Sequence, residues 1–383
     1  MVHFFRKPTV QGHLMNAPAA SKAKSYVELR AQFLAAASRQ QATLHHYPHP
    51  LKGLQGEDLF TDVAVLAQPG TRKWLVSVSG THGVEGFYGS MCQTEYLDHL
   101  ATRERDPKVG ILMVHLINPW GTSWQRRVNE DNIDLNRNYL DFARPLPDNE
   151  AYEALHPLFT KECGTGAKRA ESDAAWEAQV QAQGGTALRS GLAAGQYKHP
   201  DGLHFGGFEP AWSHLTLRSI MEKFCGDCSD AISFDLHTGA GAYGHPMLMA
   251  IAEREYPGLA DAERIYGAWI YKILTRPDQT TDTGISAAAT GYTSQAMVDL
   301  MAGKRFTQLV IECGTYDGVQ VGHLAMLDDH FLHLRGELSG QEFQRVKAAI
   351  VEFFYPSDDD WRELVWLRTR QIFDRALADL AAR

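Results

Sequence analysis

The run Ser77-Val-Ser-Gly-Thr-His82-Gly-Val-Glu85-Gly-Phe-Tyr-Gly-Ser90 decides how this chain is read. Its first residues close an apolar stretch, Trp74 to Ser79, with the length and composition of a buried strand. Gly80 and Gly83 permit a sharp turn, and Phe87 to Leu100 is patterned as a helix. His82 and Glu85 thus sit on the loop from a strand end into a helix, where open α/β sheets place their sites. His-x-x-Glu alone is weak, since at this content of His and Glu roughly one such pair is expected by chance. The plain alternative is that His82 caps the helix and Glu85 sits in its positive first turn. Read with the distant His237 in Ser233-Phe-Asp-Leu-His237-Thr-Gly-Ala-Gly241, the pair supplies two imidazoles and one carboxylate. That set suits zinc and leaves a fourth tetrahedral position for a water whose pKa falls to about 7.

Around this run, strand-like apolar segments alternate with helical patterns. Asp62 to Ala67, Ile111 to Leu116, Ala231 to Leu236, Met247 to Ile251 and Gln308 to Ile311 read as strands. Leu215 to Phe224, Leu259 to Leu274 and Asp358 to Ala382 read as helices, the last with Trp361, Leu364, Leu367, Ile372 and Phe373 near helical spacing. Such alternation predicts helices on both faces of a mixed, mostly parallel sheet. Between about residues 142 and 207 the pattern lapses into Ala, Gly, Gln, Pro and charge, with a helix near Ser172 to Gln183. This reads as an excursion over the sheet's carboxyl edge, and irregular segments of that length are usually lids or disordered. With no repeat and no clean linker, residues 25–383 are expected to form one domain behind a loose tail over residues 1–24, in which Met15 is a candidate start.

The 383 residues are 44% hydrophobic and 22% charged, ordinary for a soluble enzyme with a sizeable core. A net charge of −9 argues against nucleic acid as the main partner, which wants a basic face. No stretch approaches the ~20 apolar residues of a membrane span. Five cysteines, an odd number, and no apolar signal segment point to a reducing cytoplasm. Cys225-Gly-Asp-Cys228 lacks the second pair a structural zinc site needs, so a helix-ending turn is the favoured reading. The cluster His45-His46-x-x-His49, beside Pro48 and Pro50, is more readily a chance grouping at an exposed edge than a second metal site.

Further chemistry follows the strand Ile111 to Leu116. In Asp131-Asn-Ile-Asp134-Leu-Asn136-Arg137-Asn138, Asn136 and Arg137 offer an amide donor and a bidentate guanidinium, which suit a carboxylate. Arg126-Arg127 adds a cation able to stabilise an oxyanion, against the alternative of surface salt bridges. Val310-Ile-Glu312-Cys-Gly-Thr315 puts a carboxylate at the end of an apolar strand, where burial would tune a general base toward neutrality. Asp235, two residues before His237 on a strand, points to the same side and is either a group that orients the histidine or a core cap. Gln196 to His214, with paired glycines, aromatics and three histidines, is as readily a pocket-lining loop as a glycine-rich turn.

The order His82-x-x-Glu85, Arg127, Asn136-Arg137, His237, Glu312 resembles the zinc carboxypeptidase superfamily. Asn118-Pro119, Arg127, Asp134-Leu-Asn136-Arg137 and Asp235-Leu-His237-Thr238 are similar to its aspartoacylase and succinylglutamate desuccinylase branch. The segments THGVEGFYGS, RRVNEDNIDLNRNYLDF and GQYKHPDGLHFGG resemble an uncharacterised bacterial family of zinc carboxypeptidases. The resemblance spans roughly Val63 to Thr315. It implies a three-layer α/β/α fold with one zinc ion held by His82, Glu85 and His237. It also implies Glu312 as general base, Arg127 as oxyanion stabiliser with Arg126 as competitor, and Asn136 and Arg137 as the grip on the substrate's carboxylate. Tyr292, in Thr290-Gly-Tyr292-Thr, is the candidate for the family's substrate-facing tyrosine.

The function expected is zinc-dependent amide hydrolysis in the cytoplasm, on a small peptide or an N-acyl amino acid with a free carboxylate. Peptidase and deacylase stay open alternatives, as does a non-catalytic zinc-binding protein on the same fold. A serine hydrolase is disfavoured, because no G-x-S-x-G elbow occurs.

Overall fold

In the computed structural model, residues 23–275, 289–316 and 319–383 are described. The expected loose tail, with Met15, lies outside them up to residue 22. Eight strands form one sheet: β1 (Thr43–Lys52), β2 (Asp58–Leu66), β3 (Lys73–Ser79), β4 (Val109–His115), β5 (Asp230–Gly239), β6 (Pro246–Ala252), β7 (Ile270–Leu274) and β8 (Arg305–Gly314). Their order is β1-β2-β4-β3-β5-β8-β6-β7. The central run β4-β3-β5-β8 is parallel throughout, while β1, β2 and β6 join antiparallel to their inner neighbours.

Strand side chains alternate between two cores, as a sheet covered on both faces requires. Leu75, Ile111, Met113, Phe234 and Ile311 face α1 (Tyr26–Arg39), α2 (Gly86–Leu100) and, further along the chain, the closing helix Asp359–Ala382. Val76, Val78, Leu112 and Val114 face the opposite layer, which includes the helix Trp212–Cys225 through Leu217, Ile220 and Met221. The fold is therefore the three-layer α/β/α arrangement with a mixed, mostly parallel sheet that the alternation predicted.

Several elements differ from expectation. The segment Leu259 to Leu274, expected as one helix, splits at Gly267, whose φ of +61° breaks it, into a helix Gly258–Tyr266 and the outer strand β7. Strand β1, the sheet's other edge, carries no clear strand pattern in sequence because two prolines interrupt it, and an edge strand tolerates them. On it His45, His46 and His49 take separate partners: Lys223, Asp62 and Glu130.

Between β4 and β5 the chain forms α3 (Pro119–Ser123), α4 (Glu150–Leu155), α5 (Gly166–Gln183), α6 (Gly185–Ala193) and α7 (Trp212–Cys225). Thus the stretch 142–207 is largely helical. Helix α5 is built from good helix formers but buries only Ser172 and Trp176, so it shows no apolar stripe. Tyr152, Phe159, Trp176 and Leu188 of this stretch form a separate small core with Leu327 and Phe331. After β6 come α8 (Gly258–Tyr266), α9 (Thr293–Leu300), α10 (Val319–Arg335), which carries Leu327 and Phe331, α11 (Gly340–Phe354) and α12 (Asp359–Ala382). Cys225 and Cys228 are unpaired core residues, and burial pushes the Cys228 thiol up to about 11. Among the described residues no helix is long and apolar enough to cross a membrane.

Candidate metal centre

The neighbouring parallel strands β3, β5 and β8 each deliver a polar group at the carboxyl edge. The loop after β3 carries His82 and Glu85, β5 ends with His237, and β8 ends with Glu312, paired in register with His237. Gly80, with φ of +72°, turns the chain out of β3. A Cβ on Gly83 would lie 2.1 Å from the backbone of Gly121, so only glycine lets the turn pass there. The amides of Gly83 and Val84 then donate to the carbonyls of Arg127 and Arg126, at 3.0 and 2.8 Å, which ties the two loops together.

Glu85 is the N-cap residue of α2 but its side chain makes no cap hydrogen bond. One carboxylate oxygen lies 2.8 Å from His82 Nδ1, and the other lies 2.9 Å from His237 Nδ1 and accepts from the Thr238 amide at 3.1 Å. The two Nδ1 atoms are 3.2 Å apart. All three side chains are buried, and one ligand atom from each lies within 4.8 Å of the others. The helix-cap alternative for these residues is not what the side chains do.

Outside this triad stand further carboxylates. His82 Nε2 is 3.2 Å from Asp134 Oδ1. His237 Nε2 is 2.9 Å from Asp235 Oδ2, in ion-pair contact but out of line for a hydrogen bond, and Asp235 Oδ1 accepts from the Thr81 hydroxyl at 2.8 Å. Each imidazole thus points one nitrogen at the centre and the other at an acid, the arrangement that orients and strengthens metal-bound histidines. Glu85, Asp134, Asp235 and Glu312 surround the centre, with Arg127 among them as a cation. The donor set and this surplus of negative charge fit a divalent ion such as zinc.

Electrostatic shifts agree. Burial opposes ionisation of Glu85 and Asp134, yet the groups beside them outweigh it: His82 and His237 for Glu85, Arg127 and His82 for Asp134. Both carboxyls are held below their usual range. Glu312 goes the other way. Burial and then the Glu85 charge push it up to about 7, against the bond it accepts from the Ala240 amide at 2.8 Å.

Arg127 donates Nη1 to Glu85 and Nε to Asp134, both at 3.2 Å. Arg126 turns away to Asp329 and Asn132, so Arg127 is the arginine at the centre. Asn136 accepts from the Thr293 hydroxyl at 2.8 Å, and among the described residues its NH2 has no hydrogen-bond partner. Arg137 is buried, donates to the carbonyls of Ala193 and Asn136, and lies 4.9 Å over the Tyr292 ring. Among the described residues it has no carboxylate in ion-pair reach, an unusual state for a buried guanidinium.

Two residues without an assigned role in the sequence belong here. Asp134 joins His82, Arg127 and His204 at one buried carboxylate, with 3.2 Å to each. His204 comes from the glycine-rich loop and supports its reading as pocket lining, while Phe205 and Ala211 of the same loop pack with Ile133 and Leu135 as core.

The geometry defines an α/β protein whose sheet edge gathers a buried His/Glu/His ligand set. The chain belongs to the family described as protein of unknown function (DUF2817), which matches residues 23–368. No curated protein matches it. Among solved structures it is similar to the carboxypeptidase A from Helicoverpa armigera, at 12% identity and a TM-score of 0.46, over 87% of this chain and 74% of that one. A metallo-carboxypeptidase from Burkholderia cenocepacia aligns at 15% identity and 0.40, over 89% and 68%. An aspartoacylase family protein from Mesorhizobium loti aligns at 15% and 0.37, over 78% and 68%. Similarity of that degree bears on neither reaction nor substrate, which rest on the residues themselves.

Proposed function

We propose that the chain is a metal-dependent amide hydrolase of the carboxypeptidase type, acting on small substrates with a free carboxylate beside the scissile bond. The observation that carries it is the convergence of His82, Glu85 and His237 next to Glu312, whose carboxyl is poised near neutrality. Zinc held by the three ligands would supply Lewis acidity toward a carbonyl and acidify a water.

The chain's own groups do the rest. Glu312 takes the proton of the attacking water and passes it to the leaving nitrogen, a role suited to a carboxyl titrating near the working pH. Arg127 donates to the oxygen that gains charge as the carbonyl becomes tetrahedral. Arg137, with the Asn136 NH2 and the Tyr292 ring beside it, supplies the counter-charge for the substrate's carboxylate. A peptide's terminal residue and an N-acyl amino acid both present that carboxylate, so both fall within the reading.

A panel of dipeptides and N-acyl amino acids, offered to zinc-loaded wild type and Glu312→Gln, tests it. Turnover of one class by the wild type, reduced roughly 10²- to 10⁴-fold in the variant, is expected. Turnover that survives the substitution, or none on either class, overturns the mechanism and leaves the non-catalytic zinc-binding alternative.

A further inference from the structure

A narrow cavity adjoins the metal centre, bounded by Arg127 and Asp134 on one side and by His204, His323, Asp329 and His330 on the others. The Arg137, Asn136 and Tyr292 end of the site contributes nothing to it. Most of its polar lining is already engaged. Asp329 pairs with Arg126 and Lys347, Asp134 and Arg127 pair with each other, and His330 Nε2 donates to the Phe159 carbonyl at 3.0 Å.

Two of the imidazoles carry the argument. His323 is 5% exposed and among the described residues its Nε2 has no hydrogen-bond partner, although its ring is fixed by stacking on Trp176 at 4.4 Å and 19°. An orphaned buried polar atom of this kind is costly unless something else meets it. His204 holds φ of +50°, a left-handed conformation rare for residues other than glycine and concentrated at functional sites. The bonds around it impose that conformation: the Gln196 amide donates to its carbonyl at 3.1 Å, and the Asp134 amide donates to Phe205 at 2.8 Å. The result sets its Nδ1 3.2 Å from Asp134 Oδ2. Asp134 Oδ2 also accepts from Arg127 Nε, so the His204 nitrogen facing it is the donor, and the opposite Nε2 of a neutral ring presents a lone pair. Burial lowers both imidazoles, His323 to about 4, so both are neutral near pH 7.

Resting on the hydrolase reading, we propose that His204 and His323 form a polar specificity pocket. It takes the acyl side of the substrate and selects a neutral hydroxyl or carboxamide group. The carboxylate end belongs to Arg137, and the cavity opens beside Arg127, toward which the scissile carbonyl turns. A hydroxyl or amide N–H donates to His204 Nε2 while its oxygen accepts from His323 Nε2. A hydrocarbon leaves both nitrogens unpaired. A carboxylate has no proton to give the His204 lone pair, so that nitrogen stays unpaired. The pocket also gives the stretch 142–207 a task, since it supplies both Trp176 and His204.

The test uses zinc-loaded protein with isotope-labelled histidine, His204 and His323 being assigned by their loss in His204→Asn and His323→Phe. Asparagine tolerates the left-handed backbone, and phenylalanine keeps the stack on Trp176. Four probes share the glycine carboxylate: N-hydroxyacetylglycine against the isosteric N-propionylglycine, and N-malonamoylglycine against N-malonylglycine. Expected are shifts of both imidazole signals with the hydroxyl and carboxamide probes, affinities about tenfold tighter than for their partners, and loss of that preference in either variant. Equal affinities within each pair, a preference that survives both substitutions, or no shift of either imidazole overturns the pocket. Because binding is read apart from turnover, a retained preference without hydrolysis of any probe or dipeptide supports the pocket and sinks the hydrolase reading alone.

Discussion

Glu312 on β8 stands directly across from His237 on β5 in parallel register. Two strands distant in sequence thereby place the candidate proton acceptor beside a candidate metal ligand with no loop involved, and a sheet holds such a pair more rigidly than loops would. Burial, and then the second negative charge that Glu85 brings toward Glu312, are why that carboxyl resists ionising.

The triad predicts the metal content. Purified protein should carry about one equivalent of zinc by elemental analysis, and His237→Ala should lose it while keeping its circular dichroism. Zinc should raise the melting temperature of the wild type, since a ligand that binds only the folded state stabilises it by mass action. An unchanged melting temperature on adding zinc to metal-free protein, with none bound, would remove the centre.

Glu312 predicts a pH effect of known sign. Its folded pKa of about 7 exceeds the usual value near 4.5, so the fold binds this proton more tightly than the unfolded chain does. That contribution is fully present below pH 4.5 and disappears as pH rises through 7. In metal-free protein, Glu312→Gln should therefore gain stability relative to wild type between pH 5 and 8, read from thermal melts across that range. Zinc favours the ionised carboxylate and should shrink the difference. A gap that stays constant with pH would mean the carboxyl titrates normally.

The turn that carries His82 and Glu85 predicts an intolerant glycine. In Gly83→Ala the new methyl meets the Gly121 backbone at 2.1 to 2.4 Å, and no flexible side chain can yield there. The two loops must part, which breaks the amide bonds from Gly83 and Val84 to Arg127 and Arg126. A loss of roughly 2–4 kcal/mol by chemical denaturation is expected, together with weakened zinc binding. Gly56→Ala, on an open turn with nothing near the new Cβ, should leave zinc binding untouched.

How much of this was legible follows from the span each feature covers. His82 and Glu85 stood out because a strand, a glycine turn and a helix are local patterns, and His237 and Glu312 because each closes an apolar strand. The choice between Arg126 and Arg127 was not legible, since neighbouring residues differ only in where Asp329 and Asp134 lie in space. Asp134 could be quoted as part of a run but not given a task, because its partners sit 52, 7 and 70 residues away. The cavity was invisible for the same reason: α10 supplies His323 far downstream of His204. Strand β7 was lost to a helical-looking apolar run that only Gly267 divides.

The cluster below the cavity predicts the largest effect on stability. Asp329, fully buried, takes Arg126 Nε at 3.0 Å and the ammonium of Lys347, which also contacts His333 at 2.9 Å. Burial, and then the neighbouring Arg126 charge, push the Lys347 ammonium down to about 8 despite that carboxylate, so the amine is charged at neutral pH by a narrow margin. Asp329→Ala leaves two buried cations without their common partner, and breaking a buried ion pair from one side costs about 3–5 kcal/mol. The loss should appear in urea denaturation at pH 7 and shrink at pH 9, where Lys347 can shed its proton. Asp329→Ala combined with Lys347→Met should recover part of it, because the second substitution removes the stranded ammonium. A single variant as stable as wild type, or a double variant that recovers nothing, would show that the cluster is already solvated.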